Sequence, residues 1–138
     1  MFLSLSLLWL FSQQAPQTDA ERLTALQLSR ECSDAGDAFV RRRNFTSTDQ
    51  TTLDHVTHYN REENKCFVEV ISMPRNPAPG SVSVRTIYDA GDGVPFASAS
   101  FRGDGQGSWY AYEFTGPVYI LNGDEATKLK WFTDLMRN

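Results

Sequence analysis

The sequence predicts a two-layer α+β domain: an N-terminal helix, an antiparallel meander of five or six strands and a C-terminal helix, with both helices on one face of the sheet. Two observations lead to this prediction. Near each end of the chain, apolar residues recur at steps of three and four, which is the spacing of one face of a helix. Between these stretches, short segments rich in valine, isoleucine, tyrosine and phenylalanine alternate with turn-forming residues, as in a series of β-hairpins.

The composition is that of a folded domain. Of the 138 residues, 41% are hydrophobic, 22% charged and 12% aromatic, which excludes disordered, collagen-like and multi-span membrane proteins. The length suits one domain, which is predicted over residues 18–138. The formal net charge of −4 provides no basic surface of the kind that nucleic acids require, so no nucleic-acid partner is expected.

Residues 1–17 precede every charged residue and open with an uninterrupted stretch of largely apolar side chains. That stretch is shorter than the roughly 20 residues of a membrane-spanning helix but suits the hydrophobic region of a secretory signal. No lysine or arginine precedes it, and Ala15, the best small residue for cleavage, is followed by Pro16. The segment is therefore predicted to be a signal peptide, with an uncleaved anchor or a buried N-terminal element as alternatives. A cleaved signal would leave a periplasmic or secreted domain without a membrane span.

The first helix is predicted over residues 18–43. Thr18 and Glu21 have the spacing of a capping box, and the arginines at 41–43 lie where the helix macrodipole favours cations. Gly36 costs about 1 kcal/mol inside a helix and is expected to weaken this one or to divide it in two. The apolar face consists of Ala25, Leu28, Cys32, Ala35 and Phe39.

Six segments are predicted to be strands because they are rich in β-branched and aromatic residues. The charged turn 60–65 joins the first two, and glycine-containing turns at 90–93 and 103–107 supply the positive φ angles that tight hairpins need. In order, the segments are 51–59, 66–73, 81–88, 94–101, 108–114 and 118–121. A second helix follows, capped by Asp124. Its apolar stripe consists of Leu129, Phe132, Leu135 and Met136.

The two cysteines are predicted to form a disulfide. Cys32 lies on the core face of the first helix, Cys66 begins a strand, and an even cysteine count behind an export signal favours pairing. The chain-entropy model gives such a loop a stabilisation of about 3.8 kcal/mol. Two buried thiols are the alternative. No Cys-x-x-Cys motif indicates a redox role.

The sequence shows no catalytic or metal-binding motif. His55 and His58 lie three residues apart, which places them on opposite faces of a strand and argues against a shared metal. The chain has no Gly-x-Ser-x-Gly motif, and its aspartates in glycine-rich turns do not match the EF-hand pattern. No cofactor and no metal are therefore predicted.

Aromatic residues of the fifth predicted strand are candidates for a binding surface. By the two-residue period of a strand, Trp109 faces away from Tyr110, Tyr112 and Phe114. One set is expected to pack under the helices. The other is expected to be exposed for a protein, peptide or glycan contact, or else to cover the core and the sheet edge.

Residues 58–68 read His-Tyr-Asn-Arg-Glu-Glu-Asn-Lys-Cys-Phe-Val, and residues 87–90 read Ile-Tyr-Asp-Ala. Preceded by the helical Cys32, these motifs resemble those of small exported bacterial proteins of uncharacterised function. The resemblance covers residues 18–101. It implies an envelope or secreted location and a helix-to-strand disulfide, but no activity. The Gly-Asp-Gly that follows Ala90 departs from the pattern.

The favoured hypothesis is an exported, non-enzymatic binding module for a protein, peptide or envelope component. Its candidate binding residues are His58, Tyr59, Asn60 and Asp89. One alternative is a small hydrolase or lyase whose site assembles from His58, Asp89 and a serine. Another is an inhibitor or immunity-type protein directed at a secreted enzyme.

Overall fold

Two helices and five strands make up residues 18–117 and 123–137, which are the residues that a computed structural model describes. The elements are α1 (Asp19–Arg43), β1 (Thr51–Asn60), β2 (Lys65–Pro74), β3 (Val82–Asp89), β4 (Pro95–Gly103), β5 (Trp109–Thr115) and α2 (Glu125–Asp134). Each strand pairs antiparallel with its neighbour in sequence, in the order β1-β2-β3-β4-β5. The predicted α+β class and order of elements are confirmed. The predicted strand at 118–121 and the predicted signal segment at 1–17 lie outside the described residues.

Both helices begin at the caps that the sequence predicts. The Thr18 hydroxyl accepts a hydrogen bond from the Glu21 amide, and the Glu21 carboxylate accepts one from the Thr18 amide at 2.7 Å. In α2, the Asp124 carboxylate accepts from the Thr127 amide at 2.8 Å. These bonds satisfy amides that have no partner within the first turn of a helix. At its other end α1 stops at Asn44, whose φ of 52° is left-handed.

The two helices pack on opposite faces of the sheet. Successive residues of a strand point to opposite sides, so the helix that each residue contacts shows which face that helix covers. In β2, Val68 packs in one cluster with Phe39 of α1, whereas the adjacent Phe67 packs in another with Phe132 of α2. The expectation of two layers with both helices on one face is therefore corrected: the sheet lies between α1 and α2. The physical reason is in β2 itself, where residues 67–70 are all buried and so need cover on both sides.

Each helix covers part of its face. The backbone of α1 lies over β1 and β2, and that of α2 lies over β4 and β5. The predicted disulfide is confirmed, with the Cα atoms of Cys32 and Cys66 5.3 Å apart, and it ties α1 to the start of β2. The core under α2 consists of Phe67, Ile87, Ala97, Ala99, Phe132 and Leu135.

Gly36 is the point of closest approach between α1 and the sheet. The helix continues through it, so the expected division in two does not occur. A Cβ atom at position 36 would lie 2.0 Å from Cγ2 of Thr57 and 3.2 Å from Cγ2 of Val68. The absence of a side chain therefore lets α1 rest directly on β1 and β2.

Replacing Gly36 with alanine is expected to destabilise the domain by about 1 to 3 kcal/mol, since the added methyl group overpacks this contact. A loss of stability is informative because alanine is the better helix former by about 1 kcal/mol, so helix propensity alone would predict a gain. Urea denaturation followed by circular dichroism measures the change. Combining Gly36→Ala with Thr57→Ser removes the nearest methyl and should restore part of the loss. A more stable Gly36→Ala variant would contradict the close approach.

Candidate functional site

The four predicted binding residues lie near one end of the sheet but are not on one face. In the register of the sheet, Asn60 of β1 lies opposite Lys65 of β2, and Asp89 of β3 lies opposite Phe67 of β2. Strand alternation places Asn60, Asp89 and His58 on the face that α2 covers and Tyr59 on the α1 face. The structure therefore separates Tyr59 from the other three.

Asn60 serves the structure of the domain. Its side chain is buried, 2% exposed, and its Nδ2 group donates to the carbonyl of Leu135 at 3.0 Å. Its Oδ1 accepts from the amide of Glu63 at 2.9 Å. One side chain thus closes the turn between β1 and β2 and fastens the C-terminal end of α2 to the sheet.

Replacing Asn60 with alanine is expected to cost about 1 to 3 kcal/mol of stability, because the Leu135 carbonyl and the Glu63 amide lose their partner. Urea denaturation should show the shift in midpoint. Glu62→Ala, at an exposed position of the same turn, is the matched control and should stay within about 0.5 kcal/mol of the parent. Equal midpoints for the two variants would contradict the fastening role of Asn60.

Asp89 is held in an ion pair. Its carboxylate lies 2.9 Å from Nζ of Lys65 and accepts from the amide of Gly91 at 2.9 Å. Burial acts to raise the pKa of Asp89, but the Lys65 ammonium and the Gly91 amide outweigh it and hold that pKa below its usual range. A carboxylate so stabilised is a poor general base at neutral pH, which weakens the hydrolase or lyase alternative.

The depressed pKa of Asp89 predicts a stability contribution that is present above the pKa of an aspartate in the unfolded state, about 4. The contribution is lost as the pH falls through the lower folded-state pKa. The stability difference between the parent protein and Asp89→Asn should therefore be full near neutral pH and shrink in acid. Urea denaturation over that pH range measures it. Asp49→Asn, in an exposed loop, is the control, and a difference that persists undiminished in acid would contradict the ion pair's contribution.

Tyr59 lines a groove of about 450 Å³ between the N-terminal half of α1 and the end of β1. Its hydroxyl donates to Oδ1 of Asn64 and so supports the β1–β2 turn. On the same face, Nε2 of His55 lies 3.0 Å from Oδ1 of Asp37 and links β1 to α1. Within residues 18–117 and 123–137, no three histidine, cysteine, aspartate or glutamate side chains converge as a metal site.

A β-bulge decides which aromatic side chains of β5 are exposed. Ala99 pairs with Phe114 and Phe101 with Ala111, so β5 carries one extra residue across from Ser100. This extra residue reverses the alternation, and Phe114 packs against the α2 core instead of sharing a face with Tyr110 and Tyr112. The expectation for Phe114 is therefore corrected, because a strand keeps its two-residue period only without a bulge. Tyr110 and Tyr112 are exposed, 54% and 37%.

A cavity of about 310 Å³ opens on the α2 face of the sheet, toward the end of the strands that α2 leaves uncovered. We call it the Arg85 cavity. Its walls are mainly aliphatic and aromatic. The residues that line it are Ile71, Met73, Ser83, Arg85, Phe101 and Trp109.

A fixed guanidinium distinguishes the Arg85 cavity. Nε of Arg85 donates to Oε1 of Glu69, a side chain that is 3% exposed, whereas the Arg85 side chain is 30% exposed. The guanidinium carbon lies 5.7 Å from the ring centres of both Phe101 and Phe132. In the part of the chain that the structure describes, no group accepts a hydrogen bond from the two terminal amino groups of Arg85. The cavity therefore presents a positioned cation among apolar walls.

Sequence reasoning did not identify this site. The one local sign was Glu69, a lone charge within the apolar run 67–71 of a central strand. Such a charge needs a buried partner, but the sequence does not say that the partner is Arg85.

Comparisons with protein-family models, with curated proteins and with solved structures found no match. Among the described residues, neither helix is long and apolar enough to cross a membrane.

Proposed function

We propose that this protein is an exported domain, periplasmic or secreted, that binds a protein segment, a peptide or an envelope component without catalysis, and that the Arg85 cavity is its ligand site. The observation that carries the proposal is the partly exposed side chain of Arg85, which lines an apolar cavity and is held by a buried carboxylate. Ligand sites have this character: mostly apolar walls and a few placed polar groups. The Cys32–Cys66 disulfide supports export, because disulfides persist in oxidising compartments.

The chemistry of the lining residues favours binding over catalysis. Ser83 is the only hydroxyl among them; it is 5% exposed, and its Oγ donates to the carbonyl of Ser72 at 2.9 Å. None of the six residues that line the cavity is a general base that would activate this hydroxyl.

Titration of the full ¹⁵N-labelled chain with small aromatic compounds tests the ligand site. Benzoate, 3-phenylpropionate, indole and benzyl alcohol are suitable probes, because each has an aromatic ring that suits the apolar walls. Binding should shift the backbone amide signals of Ile71, Ser83 and Phe101, which line the cavity on three strands. If none of the compounds shifts these signals at millimolar concentration, the proposed site is wrong.

Export is tested separately on the protein from its native host. Alkylation before and after reduction, followed by intact mass, should reveal the thiols of Cys32 and Cys66 only after reduction. Thiols that react without reduction would place the protein in a reducing compartment and overturn the exported location.

A further inference from the structure

We infer that the Arg85 cavity recognises a carboxylate joined directly to a small apolar group, an inference that rests on the proposed function. The carboxylate would meet the guanidinium of Arg85, and the apolar group would fill the space between Ile71, Phe101 and Trp109. Two sources supply this chemistry: the apolar last residue of a peptide and a free aromatic or short-chain acid.

The hydrogen-bonding geometry of Arg85 indicates that the ligand carries a carboxylate. A guanidinium has five N–H donors in a planar fork, and carboxylates bind such a fork through two parallel hydrogen bonds. Nε is already bonded to Glu69, and the two terminal amino groups have no acceptor among residues 18–117 and 123–137. The edge formed by these two terminal amino groups has the geometry to bind a carboxylate through two parallel hydrogen bonds.

The burial of the two charges determines which of them a ligand in the cavity contacts. Glu69 lies at 3% exposure behind Arg85, so its carboxylate is kept from direct contact with a ligand, whereas 30% of the Arg85 side chain is accessible. A ligand in the cavity therefore meets the positive end of the pair. An anion is attracted there even though the whole chain has a net charge of −4.

Arg85 is positioned before a ligand arrives. The bond to Glu69 and the rings of Phe101 and Phe132 restrict its side chain in the folded protein. Ordering a flexible arginine contributes to the entropic cost of binding, and here the side chain is already ordered in the folded protein. The geometry thus favours a ligand that fits the fixed position of the guanidinium.

The walls set the size and polarity of the rest of the ligand. The Trp109 ring lies against Gly103, where an added Cβ would come within 3.2 Å of the indole, so the glycine lets the ring lie close to β4. Together with Ile71 and Phe101, this ring borders an open cavity of about 310 Å³, a volume near the lower end of the range for ligand pockets. One aromatic ring or a short alkyl chain suits this space.

Matched pairs of acids and amides test the inference on the full chain by ¹⁵N NMR titration. N-acetylphenylalanine and its amide represent a peptide terminus, and 3-phenylpropionate and its amide represent a free acid. Each acid should bind about tenfold or more tightly than its amide, because only the acid forms charge-assisted bonds to Arg85. The higher affinity of one acid over the other identifies the source.

Variants connect this preference to the cavity. Arg85→Gln should abolish the difference between acid and amide. Arg85→Gln leaves Glu69 buried without its cation, so two further variants provide independent tests in folded protein. Arg85→Lys keeps the charge but loses the planar fork of N–H donors, and Trp109→Leu removes one wall of the cavity. Arg85→Lys should reduce the preference for acids, and Trp109→Leu should weaken acid and amide alike. Arg102→Gln is the matched control, since Arg102 lies 4.8 Å from the Tyr112 ring on the opposite face and should not affect binding.

The outcomes separate this inference from the proposed function. Equal affinities of acid and amide at the cavity would overturn carboxylate recognition and leave the binding site in place. An acid preference that survives in Arg85→Lys and Arg85→Gln would also overturn it. If no compound shifts the cavity signals, both proposals fail.

Discussion

Replacing Cys32 and Cys66 together with alanine is expected to lower the free energy of unfolding by about 3 to 4 kcal/mol. The disulfide spans a sequence separation of 34 residues, and its removal increases the conformational freedom of the unfolded chain. A domain of this size has a total stability of about 5 to 15 kcal/mol, so the loss is a large share of it. Urea denaturation of the oxidised parent and the double variant, followed by circular dichroism, measures the difference.

The reduced parent protein is the control for this measurement. If the cross-link itself is responsible, reduction should destabilise the parent by a similar amount and leave the double alanine variant unchanged. A loss below about 1 kcal/mol in both cases would mean that the unfolded chain gains little freedom from removal of the bond. The packing of Phe39 and Val68 would then hold α1 on the sheet.

The disulfide belongs to a set of structural contacts that accounts for the motif at 58–68. The Tyr59 hydroxyl bonds to Asn64, the Asn60 amide bonds to Leu135, and Lys65 pairs with Asp89. These contacts stabilise the turn between β1 and β2 and hold α2 against this end of the sheet. The motif thus consists largely of residues that hold the fold together, and the Arg85 cavity lies elsewhere on the sheet.

Local features of the fold were predictable because they depend on residues a few positions apart. The capping box of Thr18 and Glu21 and the cap at Asp124 need only the spacing of donor and acceptor along the chain. The order of helices and strands follows from the periodicity of apolar residues in the same way.

The arrangement of the layers was not predictable, because it depends on which face each element presents. The run 67–70 shows that β2 is covered on both sides but does not say which helix covers which side. The bulge in β5 has no mark in the sequence, yet one extra residue exchanges the two faces of the strand. Phe114 consequently joins the core, while Tyr110 and Tyr112 are exposed.

The Arg85 cavity was hidden for a related reason. Its lining comes from β2, β3, β4 and β5, and the register of the whole sheet brings Ile71 and Trp109 together. The charge at Glu69 was readable as an anomaly in an apolar strand. Its pairing with Arg85 depends on the register of β2 against β3, in which Glu69 pairs with Ile87 and Ile71 pairs with Arg85.

Replacing Phe132 with alanine is expected to lower the free energy of unfolding by about 3 to 5 kcal/mol, the usual cost of truncating a buried phenylalanine. Phe132 is fully buried on α2 and belongs to the core cluster with Phe67 and Ile87. Its ring also lies 5.7 Å from the guanidinium carbon of Arg85. Removing the ring therefore leaves a cavity beneath α2 and loosens one support of Arg85. Urea denaturation measures the first effect.

A surface variant and a near-isosteric variant make this result specific. Leu26→Ala removes an apolar side chain that is 59% exposed on α1 and should change stability by no more than about 0.5 kcal/mol. Phe132→Leu keeps most of the volume, so it should lose much less than the alanine variant, about 1.5 kcal/mol or less. If Phe132→Ala cost as little as Leu26→Ala, α2 would not be docked on the sheet. The face opposite α1 would then lack its cover, and the arrangement of helix, sheet and helix would be wrong.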